Sequence, residues 1–290
     1  MVVIIPFLNE EEHLGTLLDS IAAQTRPPDE LLLVDDGSTD ASPEIAAAFA
    51  DEHAYVRLVL RPSRPPDRDR LARAPELEAF QWAVGQVKMA YGVIAKMDAD
   101  LRLTPETFAA TERQFESDPK LGMTGPYLGV IGPDGRSRRE RCPRDHIRGA
   151  TKFYRRECFE QIAPLPVTLG WDTLDEIKAR MHGWRAASFE LPGGDPLHLR
   201  PTGAHDGALR TYRRAGLGAW AYGAHPVHVL LGALRRAKDP PWLVGGLSYL
   251  LAWALAAARR VPRSDPEVRA FIRREQLGRL RRLVTHRREA

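Results

Sequence analysis

The sequence predicts an α/β fold, a mostly parallel sheet flanked by helices, followed by a C-terminal helical appendage. Short apolar runs rich in β-branched residues alternate with segments whose apolar residues recur at helical spacing, the pattern of strand–helix–strand units. Polar clusters follow three of those runs, at the carboxyl ends of strands, where such sheets form their ligand crevice. With 290 residues, 43% hydrophobic and 28% charged, the chain has material for one large domain plus an appendage. That balance excludes a wholly disordered polypeptide.

Val2 to Ile5 is the first apolar run, closed by the loop PFLNEE. Leu14, Leu17, Leu18 and Ile21 then form a helical stripe within Glu10 to Gln24. Glu30 to Val34 is the second run, ended by DDGSTD, and a helix is expected to begin near Ser42-Pro43 because proline suits a first turn. Val56 to Leu60 is the third run, followed by a Pro- and Arg-rich loop from Arg61 to Arg73. Glu76 to Met89 is helical in pattern, and Val93 to Met97 is the fourth run, ended by Asp98-Ala99-Asp100. Thr104-Pro105-Glu106 reads as the start of another helix.

The texture changes near residue 206. A Gly- and Arg-rich stretch leads to a basic amphipathic segment, His228 to Lys238, and to an Arg-rich helix from Glu267 to Val284. Between these, Pro240 to Ala258 carries no charged residue. Pro240, Pro241, Gly245 and Gly246 confine the expected helix there to Leu247 onward. A span of a bilayer needs about 20 apolar residues. Arg235, Arg236 and Lys238 on one side and Arg259, Arg260 and Arg263 on the other oppose a crossing, since both basic ends favour the same face. A monotopic helix with Trp242, Tyr249 and Trp253 at the headgroups is expected instead, on the cytoplasmic face; the alternative is a buried helix or an oligomer interface.

Net charge is +4, but residues 259–290 hold eleven arginines against four acidic residues, so the first 258 residues are net negative. That distribution argues against nucleic acid as the partner of the main domain. Cys142 and Cys158 are too few for a disulfide scaffold and fit a reduced compartment. The opening Met1-Val2-Val3-Ile4-Ile5 lacks a basic leader region and stops at Pro6, so no signal peptide is expected.

Asp98 and Asp100 place two like charges one residue apart. Residues two apart in extended backbone face the same side, so both carboxylates can address one site. A hard divalent cation, Mg²⁺ or Mn²⁺, takes one or two carboxylates and completes its shell with water and substrate phosphates. The plainer reading is a helix-capping aspartate beside a solvated one.

PFLNEEEHLGTLLDSIAAQTRPPDELLLVDDGSTDAS, KMDADLRL and GWDTLDEIKARMHGW, in that order, resemble the family 2 glycosyltransferases of the GT-A fold, over roughly residues 1–200. The resemblance implies a catalytic domain over 1–205, with 206–290 as the membrane-associating region. It further implies an inverting, metal-dependent transfer of a sugar from a nucleoside-diphosphate sugar to a hydroxyl acceptor. Pro6, Leu8, Glu10 and Asp36 fall where the family holds the nucleotide base. Asp98 and Asp100 match its DxD motif, with His198 in DPLHLRPTG placed to complete a metal site. Arg70 and Arg73 could meet the diphosphate, or form a solvated basic loop. Inversion needs a general base. Asp172 and Asp175 are the candidates, since the family's usual Glu-Asp is here Trp171-Asp172 and Asp175-Glu176 follows. Together with the tail, this implies a lipid-linked acceptor in surface polysaccharide or glycolipid assembly.

Two other readings stand beside it. A nucleotidyltransferase would want a Gly-rich, basic phosphate loop after the first strand, where PFLNEEEHLG offers glutamates. A catalytically inactive sugar-nucleotide-binding scaffold of a membrane complex is left open by the departure at Trp171-Asp172. No GxGxxG follows the first strand, which argues against a dinucleotide enzyme.

Overall fold

The computed structural model of the chain describes residues 1–62, 74–132, 134–140, 142–200, 207–238 and 240–286. It forms two compact units, Met1–Val167 with His182–Pro201, and Thr168–Met181 with Thr202–Ala290.

The first unit begins with β1 (Val2–Phe7), α1 (Leu14–Ala22), β2 (Glu30–Asp35), α2 (Ser42–Glu52), β3 (Val56–Leu60), α3 (Pro75–Val84) and β4 (Val93–Met97). There follow β5 (Leu101–Arg102), α4 (Thr107–Ser117), β6 (Leu121–Pro126), β7 (Gly129–Ile131), β8 (Ser137–Arg139), β9 (Thr151–Arg155) and α5 (Arg156–Ile162). After α6 (Trp171–Met181), which belongs to the second unit, come β10 (Arg185–Phe189) and β11 (Leu197–His198). Seven strands make one sheet in the order β10-β6-β9-β4-β1-β2-β3. Only β9 runs against its neighbours, antiparallel to both β4 and β6.

β1 pairs in parallel with β2 on one side and β4 on the other, Val2 facing Glu30 and Ile94. Chain order therefore reverses at β1, and a crevice is expected beyond the carboxyl ends of β1 and β4. Every residue of β1 and β2 is buried, as near-continuous apolar runs should be in a sheet covered on both faces. The α1 stripe of Leu14, Leu17, Leu18 and Ile21 closes one face.

In the first unit, α1 and α3 differ from the sequence expectation at their ends. α1 starts at Leu14 rather than Glu10, because Glu10 to His13 turn, the His13 and Leu14 amides donating to Glu10 O at 3.0 and 2.8 Å. α3 ends at Val84 rather than Met89. Beyond it the Lys88 and Met89 amides donate to Glu30 Oε2 at 3.0 and 2.9 Å. That buried carboxylate, also paired with Arg57 at 2.6 Å, takes those amides out of the helical ladder.

The small second sheet has the order β5-β11-β7-β8. In it Leu197 faces Arg102 and His198 faces Leu101.

The second unit contains α6 and the helices α7 (Gly207–Ala221), α8 (Pro226–Arg236), α9 (Leu243–Ala258) and α10 (Pro266–His286). Leu174 and Ile177 of α6 pack on Val268 and Ile272 of α10, and Arg180 pairs with Glu275 at 3.0 Å. α9 starts four residues earlier than its glycines suggest, at Leu243. The glycines serve close packing rather than a break: a Cβ on Gly245 would sit 2.7 Å from the Tyr212 ring, and one on Gly246 would sit 2.4 Å from Ala233 O of α8. Among the described residues, no helix is long and apolar enough to cross a membrane.

Candidate functional site

The loops after β1 and β2 are tied to each other. Asn9 takes a left-handed conformation, φ 55°, which asparagine tolerates. Its amide donates to Ser38 Oγ at 3.0 Å, and its Oδ1 accepts from the Thr39 amide at 2.8 Å. The Glu10 amide donates to Ser42 Oγ at 2.8 Å, and the Ala41 amide to Glu11 Oε2 at 3.0 Å. PFLNEE and DDGSTD thus form one rim. Pro6 lies in β1 opposite Val34, buried, and Leu8 half-buried just beyond it.

Asp98 and Asp100 follow β4 on the neighbouring part of the rim. His198 reaches them because β11 pairs antiparallel with β5, the strand that Asp100 precedes; the Leu199 amide donates to Asp100 O at 2.8 Å. One ligand atom each from Asp98, Asp100 and His198 lie within 4.8 Å of one another. His198 Nε2 is 3.4 Å from Asp100 Oδ1, while Nδ1, buried without a hydrogen-bond partner, faces Glu140 Oε1 at 4.0 Å. Glu140 is itself held by Arg148 at 2.5 Å.

This donor set fits a hard to borderline divalent cation such as Mn²⁺ or Mg²⁺. Metal-binding imidazoles characteristically turn their second nitrogen toward a carboxylate, the position Glu140 occupies.

Two basic side chains already partner the carboxylates. Lys96, fully buried on β4, donates to Asp98 Oδ1 and, at 3.1 Å, to Gly149 O. Arg200 donates through Nε to Asp100 Oδ2 at 3.2 Å and through Nη2 to Glu10 Oε1. Burial opposes ionisation of Asp100, but the contact with and charge of His198, then Arg200, hold its carboxyl below the ordinary range. Burial alone would lower the His198 pKa; Asp100, with Asp98 and Glu140, outweighs it and raises it. Burial pushes the Glu10 carboxyl up despite Arg200. Glu10 Oε2 is buried without a hydrogen bond.

Asp35 and Asp36 divide their work. Asp35 Oδ1 accepts the Ser38 amide at 2.9 Å and shapes the turn, while Asp36 Oδ1, on the rim, accepts from Arg61 Nη1 at 2.8 Å. Arg70 and Arg73 lie outside the described residues.

In the second unit, Asp172 is half-buried in the first turn of α6, and Asp175 is fully buried, its Oδ1 accepting the Glu176 amide at 2.6 Å.

Sequence reasoning missed Arg200, Arg61, Lys96 and Glu140. For Lys96 a signal existed: a charged residue interrupts the run VIAKM two positions before Asp98, on the same face of the strand. Arg200 stands two residues after His198, but nothing local says that it turns back to Glu10.

A polar cavity of about 530 Å³ lies apart from this cluster, lined by Gln114, Tyr127, Arg144 and Arg185 among others.

Over 108 residues the chain is 36% identical to an undecaprenyl-phosphate 4-deoxy-4-formamido-L-arabinose transferase of Pectobacterium carotovorum, a match spanning 36% of this chain and 30% of that protein. It is 39% identical over 80 residues to a PGL/p-HBAD biosynthesis glycosyltransferase of Mycobacterium bovis, covering 28% of this chain and 31% of the relative. The matched stretch is thus under a third of either relative's length. The solved mannosyltransferase of Pyrobaculum calidifontis, in complex with GDP-Man and Mn²⁺, superposes with a TM-score of 0.57. That superposition covers 93% of this chain and 77% of that one at 20% identity, a likeness of fold. The family described as Glycosyl transferase family 2 matches residues 2–168, more than half of the chain. The rim of β1, β2 and β4 lies within that match, and the chain belongs to glycosyl transferase family 2.

Proposed function

We propose that the protein is an inverting, metal-dependent glycosyltransferase that moves a sugar from a nucleoside-diphosphate sugar to a hydroxyl acceptor. The observation that carries this reading is the approach of Asp98, Asp100 and His198 within 4.8 Å at the sheet's reversal point. These three side chains would hold Mn²⁺ or Mg²⁺. When bound, the cation neutralises charge growing on a diphosphate leaving group.

The remaining work falls to the chain itself. Asp98 Oδ2 has no partner among the described residues, so Asp98 can keep Lys96 on Oδ1 and still offer a ligand atom. Arg200, held between Glu10 and Asp100, offers guanidinium N–H donors for phosphate oxygens. Asp36, with Pro6, Leu8 and Glu10, supplies the wall for the base; Asp36 can accept a base N–H beside its bond to Arg61. Arg70 and Arg73 stay candidates for the diphosphate.

Asp172 is the proposed base: it would take the acceptor hydroxyl proton as that oxygen bonds to the sugar's anomeric carbon and the carbon–phosphate-oxygen bond breaks on the opposite face. Asp175 is the weaker candidate, because its buried carboxylate accepts the neighbouring amide. The undecaprenyl-phosphate in the Pectobacterium relative's name supports a lipid-linked acceptor, which would fit glycolipid or surface polysaccharide assembly.

Calorimetric titration with UDP and GDP, with and without Mn²⁺, tests the reading. Binding of one nucleotide that requires Mn²⁺ and is lost in Asp100→Asn supports it. No binding of either by the folded protein would sink it, whereas binding without transfer to any acceptor would favour the inactive sugar-nucleotide-binding scaffold. Asp172→Asn should keep donor binding and lose transfer.

A further inference from the structure

The helices α8 and α9 carry an apolar surface that the second unit's own packing leaves uncovered. On α9, Gly245, Gly246, Tyr249, Ala252 and Ala256 are buried on one side. Leu243, Val244, Leu247, Leu251 and Leu255 occupy the other, at 50–76% exposure. α8 repeats the arrangement: Val229 and Ala233 are buried, and Val227, Leu230, Leu231 and Leu234 form an exposed stripe. The two helices pack on each other where Gly246 meets Ala233. A helix facing water should carry charge on its outer side, and apolar patches of this extent mark an interaction surface.

The surrounding charge says what covers it. From Val227 to Val261 the sequence holds a single acidic residue, Asp239, and five basic ones. Arg235, Arg236 and Lys238 stand at the α8–α9 turn, and Arg259 and Arg260 at the far end of α9. A second copy docked face to face would set arginines against arginines, with almost no acid to answer them. An anionic lipid surface supplies the missing counter-charge at both ends of the face. The 16 residues of α9 extend about 24 Å at 1.5 Å per residue, short of the ~30 Å hydrocarbon core, which excludes a crossing. Trp242, 64% exposed at the start of α9, sits where an amphipathic ring meets the headgroups.

We propose that the α8–α9 hairpin lies flat on an anionic bilayer, both leucine rows in the acyl boundary and Trp242 and the flanking basic residues among the headgroups. Lipid contact thus belongs to two helices rather than to the uncharged segment alone. This surface binding does not depend on the transferase reading.

The test uses the full chain and vesicles of phosphatidylglycerol with phosphatidylcholine, or of phosphatidylcholine alone, read by co-sedimentation. Wild type should pellet with the anionic vesicles and at least tenfold less with neutral ones, and brominated acyl chains should quench tryptophan fluorescence by an amount that drops in Trp242→Phe. Leu247→Glu with Leu251→Glu on α9, and separately Leu230→Glu with Leu234→Glu on α8, should each cut partitioning at least tenfold while the far-ultraviolet circular dichroism stays unchanged. Nucleotide binding in both variants should equal wild type, which separates this result from the fate of the donor site. Wild type left in the supernatant overturns the proposal. So does an α8 pair without effect, or a wild-type dimer in light scattering that the glutamates dissolve without any vesicle binding.

Discussion

His198 Nε2 lies 3.4 Å from Asp100 Oδ1 while its Nδ1 faces Glu140 Oε1 at 4.0 Å, so one buried imidazole stands between two carboxylates. Asp100 is a proposed metal ligand; Glu140, fixed by Arg148, can only orient the ring. Glu140→Gln should therefore weaken Mn²⁺ binding by about 10–100-fold with all three ligands intact. Electron paramagnetic resonance titration of Mn²⁺ would measure it, beside a thermal melt to show that the fold persists. Unchanged affinity would mean that Glu140 does not orient the ring.

The same contacts set a pH dependence. His198 has its pKa raised in the fold and must lose its proton to bind a metal. Mn²⁺ affinity should fall as pH drops through that raised value. Stability of the metal-free protein should move the other way. The stabilisation gained by charged His198 is fully present below the unfolded value of about 6.5 and is lost as pH rises through the folded one. Asp100 has the opposite sign: its lowered pKa gives stability present above about 3.9 and lost as pH falls through the folded value. Melts from pH 5 to 9, with and without Mn²⁺, should show the metal-dependent gain growing with pH; a gain that shrinks would contradict the assignment.

Lys96 and any metal compete for the charge of Asp98. In Lys96→Met the stem volume is nearly kept and the ammonium removed, leaving Asp98 without its buried partner. The metal-free variant should melt below wild type, and Mn²⁺ should bind it more tightly, because a positive charge next to the site is gone. Calorimetry decides between this and a purely structural role, for which Mn²⁺ affinity would stay at the wild-type value.

The parallel core was legible because β1, β2, β3 and β4 are largely apolar runs separated by helical stripes, and burial on both faces demands such runs in β1 and β2. Asp98 and Asp100 stood out because like charges at a strand end ask for a counter-charge. His198 could be named only through the family resemblance. What joins it to Asp100 is a two-residue strand pairing with another of equal length, too short to carry any periodicity. Arg200 escaped because its partner Glu10 lies 190 residues away in the chain, and Glu140 because only that small sheet carries His198 to it. Gly245 and Gly246 misled in the other direction: propensity penalises glycine inside a helix by about 1 kcal/mol, and close packing on α7 and α8 outweighs it.

That packing makes the last prediction. A Cβ at Gly246 would lie 2.4 Å from the backbone oxygen of Ala233, an atom that cannot rotate away, so α8 and α9 would have to separate. Gly246→Ala should cost about 1–3 kcal/mol of stability despite alanine's better helix propensity. Gly278, in α10, has nothing within 4 Å of its virtual Cβ and serves as the control; Gly278→Ala should be neutral or stabilising. Chemical denaturation of the two variants gives the comparison. Should Gly246→Ala prove as stable as Gly278→Ala, the two helices do not meet at that glycine, and the continuous lipid-facing hairpin built on their contact would fall with it.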